Sequence, residues 1–160
     1  MKKSGFTLLE IILAVFILTV AIVGSFALIQ RSIISASQAQ FRLTAAYLAQ
    51  EGMEIVRNIR DTNWLEGENW DAGIAITSDY RLDYQSSEFP DTTCNLGSGN
   101  YLKYDGNFYT CSSGIDTKFK RTISISSEEL NKMKVSVKVE WEERGRTNSI
   151  EALEYLYNWK

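Results

Sequence analysis

The sequence predicts an α+β protein: one long N-terminal helix, half apolar throughout and half amphipathic, packed on a small antiparallel sheet. Three patterns carry that expectation. Residues 6–30 hold a single charge, Glu10, and residues 11–30 hold none. Beyond them apolar side chains recur at the helical period, and after residue 100 they alternate at the strand period of two. At 160 residues there is room for one domain and an appendage. The aromatic content of 12% and hydrophobic content of 44% belong to an ordered chain.

Composition removes several functions. Histidine is absent, which excludes Ser-His-Asp and Cys-His nucleophile arrangements and the two-His zinc helix. Two cysteines, Cys94 and Cys111, are too few for a four-thiolate zinc site and lack redox C-x-x-C spacing. Seventeen basic against 20 acidic residues give a formal charge of −3, so no nucleic-acid partner is predicted. No cofactor or metal is expected either.

At about 1.5 Å per residue, the charge-free stretch 11–30 spans roughly 30 Å as a helix, the thickness of a bilayer core. Lys2 and Lys3 before it, against Arg31 after it, place the N-terminus in the cytoplasm and the bulk of the chain outside. A secretory signal peptide cleaved near Ser35-Ala36-Ser37 is the competing reading. Its apolar region would exceed the usual 7–15 residues and contain a carboxylate. Glu10 is the anomaly, because a carboxylate at mid-bilayer costs on the order of 2.5–3.5 kcal/mol unless it snorkels to an interface or finds a partner.

The string Lys2-Lys3-Ser4-Gly5-Phe6-Thr7-Leu8-Leu9-Glu10 and the apolar helix behind it resemble the class III leader of type IV prepilins and pseudopilins. The resemblance covers about residues 1–30. It implies cutting by prepilin peptidase between Gly5 and Phe6, and N-methylation of Phe6. Cleavage would put a positive amine on Phe6, four residues from Glu10 and on the same helical face. In a bundle of such helices Glu10 of one subunit could neutralise the Phe6 amine of a neighbour and so fix axial register. The implied partners are prepilin peptidase, other pilin or pseudopilin subunits, the inner-membrane assembly platform and membrane lipid. One common family feature is missing. Position 27 is Ala27 rather than a late-helix proline, which argues against a major pilin.

Residues 31–60 continue the helix. Ile34, Phe41, Leu48 and Ile55 recur every seven residues, with Ala45, Gly52 and Ile59 offset by four. Together they form one apolar stripe. Arg42, Gln50, Glu51, Glu54 and Arg57 occupy the other side, with Glu54 and Arg57 spaced to pair. Gly52 hints at close packing. The stripe fits a helix docked on its own head, as in pilins; a parallel coiled coil is the alternative, interrupted by Gln38 and Gly52. The expected organisation is a cleaved leader 1–5, a transmembrane and assembly helix 6–30, an amphipathic helix 31–60 and a head 61–160.

Residues 61–100 read as polar loop with short strands at 74–77 and 80–84. Asp61, Asn63, Asn69 and Asp71 offer oxygens, but their glycine and acidic spacing fails the EF-hand pattern. Strands at 101–104 and 108–111 flank the turn Asp105-Gly106-Asn107. Then 119–126 alternates Phe119, Arg121, Ile123, Ile125 against polar neighbours, and Val135, Val137, Val139 and Trp141 do likewise. A turn at Arg144-Gly145-Arg146 returns the chain through Ile150, Leu153, Tyr155 and Tyr157 as a meander. This ending resembles V-type minor pilins and I-type pseudopilins. On the exterior side Cys94 and Cys111 fit a structural disulfide, with two reduced thiols as the alternative.

The function implied is a structural, non-enzymatic subunit, a minor pilin or pseudopilin of a type IV pilus, type II secretion or competence machine. It would begin in the inner membrane and end in a periplasmic or cell-surface filament. A membrane-anchored extracellular binding module that never polymerises is the rival reading. An exported enzyme built on Glu128-Glu129 or Glu142-Glu143 is disfavoured, since adjacent strand residues point to opposite faces.

Overall fold

The computed structural model describes residues 5, 7–74, 80–86, 94 and 101–159. One α-helix, α1, runs over Leu8–Glu66, longer at its C-terminal end than the expected stop at residue 60. The chain divides into two compact units, Met1–Gln40 and Phe41–Lys160.

Among the described residues, the first unit is the helix with Gly5 and Thr7 before it. Its apolar side chains are exposed, from Leu8 through Phe16, Leu18 and Phe26 to Ile33. It is long and apolar enough to cross a membrane. The hydroxyls within it are satisfied locally. Thr19 Oγ1 donates to the Phe16 carbonyl at 2.8 Å and Ser25 Oγ to the Ala21 carbonyl at 2.9 Å, so neither needs water or a partner chain.

In the second unit, the rest of α1 packs on two antiparallel sheets. The larger has the order β4-β5-β6, with β4 at Phe119–Glu129, β5 at Lys132–Glu143 and β6 at Arg146–Tyr157. Its register pairs Phe119 with Trp141 and Val137 with Ala152. Arg144 and Gly145, at φ 52° and 72°, join β5 to β6 in a two-residue turn whose positive φ values match strand twist. The smaller sheet, β2-β1-β3, is made of two-residue strands at Lys103–Tyr104 (β1), Tyr109–Thr110 (β2) and Ile115–Asp116 (β3).

Alternation puts Phe119, Ile123 and Ile125 of β4 and Met133, Val135, Val137, Val139 and Trp141 of β5 on one buried face. Ala45, Leu48, Ala49, Ile55, Val56 and Ile59 of α1 cover that face, so the apolar stripe docks on its own sheet. Gly52 marks the closest approach, since a Cβ there would lie 2.8 Å from Val137 Cγ1 and 3.2 Å from Arg121 Cδ. The arrangement is α+β and pilin-like.

Residues 61–100 depart from the expectation. Residues 61–66 are helical, and Asn63 Nδ2 donates to the carbonyls of Ala72 at 2.8 Å and Trp70 at 3.3 Å, folding the following loop back under the helix end. Of the strand expected at 80–84 only a bridge between Tyr80 and Ile123 forms. Residues 75–77 of the other lie outside the described residues.

Candidate functional site

The N-terminal motif is built on the start of α1. Thr7 occupies the cap: its carbonyl accepts the Glu10 N–H at 3.1 Å and the Ile11 N–H at 3.3 Å, and its Oγ1 lies 3.4 Å from Glu10 N. A threonine followed three residues later by glutamate is the capping-box signature, and Thr7-Leu8-Leu9-Glu10 displays it. Thr7 lies outside the apolar periodicity, so the period of the helix gives no sign of its capping role. The carboxylate of Glu10 also favours the positive end of the helix dipole in the first turn. Glu10 is exposed, and among the described residues no ion pair reaches it. Phe6 lies outside the described residues. Gly5 is exposed, and a Cβ on it would meet nothing within 4 Å.

In the second unit the polar centre is Arg121, on the apolar face of β4 and only 1% exposed. Its Nη1 donates to Glu51 Oε2 at 2.7 Å and to the Leu48 carbonyl at 3.1 Å; Nη2 donates to the Leu82 carbonyl at 2.7 Å. One guanidinium thus ties sheet, helix and the 80–86 segment together. Glu51, expected on the wet side of the helix, is instead half-buried against it. A glutamate one residue from the stripe gives no sequence signal of that contact, because the partner lies 70 residues away.

The 80–86 segment has a second anchor. Cys94 and Cys111 form a disulfide, with Cα atoms 5.0 Å apart. Asp83, buried beside it, accepts the Cys111 N–H at 3.1 Å through Oδ2 and the Gln85 N–H at 2.8 Å through Oδ1. Asp83 and the two cysteines cluster closely enough to hold a metal, but both sulfurs are committed to the bridge and offer no thiolate.

The remaining charged groups read as structural. Arg57 donates to both carboxylate oxygens of Glu154, at 2.8 and 2.7 Å, and also pairs with Glu54. The hydrogen bonds to Glu154 raise its pKa above the ordinary guanidinium value, against the opposing effect of burial. Asp61 pairs with Arg60, and the Asn63 Nδ2 donates to two carbonyls of the following loop, so both side chains have structural work there. Glu128 pairs with Lys132, and Glu143 lies opposite Arg146 across the β5–β6 turn.

With this geometry in view, the comparisons fall on the N-terminus. A family model, the prokaryotic N-terminal methylation motif, matches residues 1–26. No curated protein and no solved structure matches the chain significantly. Residues 1–26 therefore carry a class III leader of the type IV prepilin kind, and the match supports a type IV pilin-like protein processed by prepilin peptidase. Processing of that kind and the exposed apolar helix are consistent with membrane anchoring and with assembly beside other pilins.

Proposed function

We propose that the chain is a minor pilin or pseudopilin, a structural subunit of a type IV pilus-like filament or of a type II secretion or competence machine. The observation that carries this is the leader joined to an apolar helix that its own fold leaves uncovered. Residues 8–33 present large aliphatic and aromatic side chains that no part of the described chain buries. Such a surface requires lipid first, or other helices of its kind in a filament.

The residue roles follow. Prepilin peptidase cuts between Gly5 and Phe6. The fold makes no demand for glycine at position 5, where a side chain would have open space, so the demand comes from the peptidase. The freed amine of Phe6 is methylated and, within a helix bundle, meets Glu10 of a neighbouring subunit. A buried pair of this kind penalises other axial registers, because breaking it strands a charge at about 3–5 kcal/mol. Residues 1–5 serve as leader, 6–30 as membrane and assembly helix, and the remainder presents the head outside the cytoplasm. The Cys94–Cys111 bridge fits that compartment. The absence of the late-helix proline favours a minor pilin or pseudopilin over a major pilin.

The test is processing and incorporation together. Mass spectrometry of the mature chain should find an N-terminal, methylated Phe6. Glu10→Ala should still be cut but should disappear from the sheared-filament fraction. A mature chain that starts elsewhere, or a Glu10→Ala chain that incorporates normally, overturns the assignment in favour of a non-polymerising anchored module.

A further inference from the structure

The sheet β4-β5-β6 has a second face, opposite the one that α1 covers. Its register sets rows of neighbours across that face, with Thr122 beside Lys138 beside Glu151 in one row and Ser124 beside Ser136 beside Leu153 in the next. Arg81, which the Tyr80–Ile123 bridge sets next to β4, joins them around a hollow of about 380 Å³. Small-ligand sites occupy roughly 300–1,000 Å³, so the hollow is large enough to hold one.

Its chemistry is mixed, and the mixture is ordered. Arg81, Lys120 and Lys138 bring cations, and Glu140 and Glu151 bring carboxylates. Lys138 Nζ lies 2.7 Å from Glu140 Oε1, and the Ser136 hydroxyl donates to Glu151 Oε1 at 2.6 Å. Both carboxylates are therefore engaged within the hollow, and cations outnumber them by three to two. Thr122 and Ser124 add further hydroxyls. Apart from Arg81, the lining stands on three paired strands, which fix its geometry before a ligand arrives. Beyond the hollow the face changes character. Leu153 stands across from Ser136, Tyr155 follows it on the same face, and both are exposed.

We propose that this face binds an acidic saccharide, a sugar that carries a carboxylate among its hydroxyls. A bare anion such as phosphate would use the cations but would meet Glu140 and Glu151 at close range. A neutral sugar would use the hydroxyls and carboxylates and draw nothing from the cation excess. An acidic sugar uses every group. Its carboxylate meets Arg81 and Lys120, while its hydroxyls donate to Glu140 and Glu151 and bond with Thr122 and Ser124. The next ring of the chain lays its apolar side on Leu153 and Tyr155. The inference goes beyond the filament reading and does not rest on it, since the second unit alone builds the whole surface.

The experiment titrates the full-length chain in detergent micelles with four probes: trimers of galacturonate and of mannuronate, maltotriose, and inorganic phosphate. Calorimetry reads affinity and amide resonances locate the contact. One of the acidic trimers should move the amides of Thr122, Ser136 and Lys138, and should bind at least about tenfold more tightly than maltotriose or phosphate. Arg81→Gln with Lys120→Gln should lower its affinity by about tenfold. Thr122→Val should weaken the trimer and leave phosphate unchanged. Tryptophan-detected unfolding checks that the variants stay folded; if the pair shifts the midpoint, Lys120→Gln alone gives the comparison. Phosphate bound as tightly as the trimers would make this a plain anion site, and maltotriose bound as tightly a neutral-sugar site. Either result, silence with both acidic trimers, or full affinity in Lys120→Gln overturns the proposal.

Discussion

The helix Leu8–Glu66 is apolar along most of its length, yet Ile17, Leu18 and Phe26 are 60–62% exposed while Leu48, Val56 and Ile59 are at 5% or less. Residues 8–29 carry only Glu10, Thr19 and Ser25 as polar side chains, and among the described residues nothing covers their apolar ones. Residues 41–66 gather most of their apolar side chains into a stripe, from Ala45 to Ile59, and bury it on β4 and β5, leaving Leu43, Tyr47 and Leu65 exposed. Burial of a Leu or Val side chain contributes about 1.5–3 kcal/mol, so the second half is fixed by the fold of the head. The first half gains nothing from folding the head, and its apolar surface is free to stabilise something else, a bilayer or a bundle. Gly24 and Gly52 summarise the contrast. Around Gly24 there is open space, whereas Gly52 touches Val137.

The largest test of that difference is Arg121→Ala. It strands the Glu51 carboxylate and leaves the buried carbonyls of Leu48 and Leu82 without their donor. The expected loss is about 3–5 kcal/mol of head stability. All four tryptophans, at 64, 70, 141 and 159, lie in the second unit, so tryptophan fluorescence during unfolding reads that unit alone. Membrane partitioning of the variant should match wild type. A head as stable as wild type would mean that Arg121 is not the clasp between helix and sheet.

A paired glycine substitution probes the same boundary more gently. Ala in place of Gly gains about 1 kcal/mol of helix propensity wherever space allows. At Gly24 nothing opposes that gain, so helicity rises and head unfolding stays unchanged. At Gly52 the added methyl must displace Val137 or the Arg121 stem, and overpacking costs about 1–3 kcal/mol. Gly52→Ala should therefore lower the unfolding midpoint of the head while Gly24→Ala does not. Equal behaviour of the two would erase the distinction between the halves.

How much of this could be read from the residues alone depends on the range of each interaction. The stripe with Gly52, the β4–β5–β6 meander and its Arg144-Gly145 turn are local patterns, and the structure contains all three; the leader is local too, and the family match covers it. Two cysteines on the exterior side allow either a bridge or two thiols, and the structure has Cys94 and Cys111 bridged. Long-range or very short features gave no signal. Arg121 stood at an apolar position of β4, but its partners Leu48, Glu51 and Leu82 lie far away in sequence. Strand β3 spans two residues, too few to show a period. Asp61-Thr62-Asn63 has turn composition yet sits in the helix, because Asn63 turns its amide to the loop beyond and Arg60 stacks 4.7 Å from the Trp64 ring centre. Thr7 was legible as a helix cap, but an apolar run invites attention to its length rather than its first turn.

The smallest expected effect concerns titration, and it too should fall in one unit only. Asp105, in the β1–β2 turn, accepts the Phe108 and Asn107 N–H groups through Oδ1, each at 2.8 Å. Those bonds, Phe108 first, favour the charged carboxylate and lower its pKa below the ordinary 3.8. A carboxylate depressed by folding adds stability that is fully present above the unfolded pKa and is lost as pH falls through the folded one. Acidification below pH 3.8 should therefore loosen the β1–β2 hairpin, with the amide resonances of Asn107 and Phe108 titrating at a midpoint under that value. Asp105→Asn keeps an acceptor but removes the charge, so the same resonances should hold still over this range. Residues 11–30 contain no ionisable side chain, and their amides should be silent throughout. A midpoint at or above the ordinary value would mean that the turn is held by its Gly106 conformation, φ 110°, and not by the carboxylate.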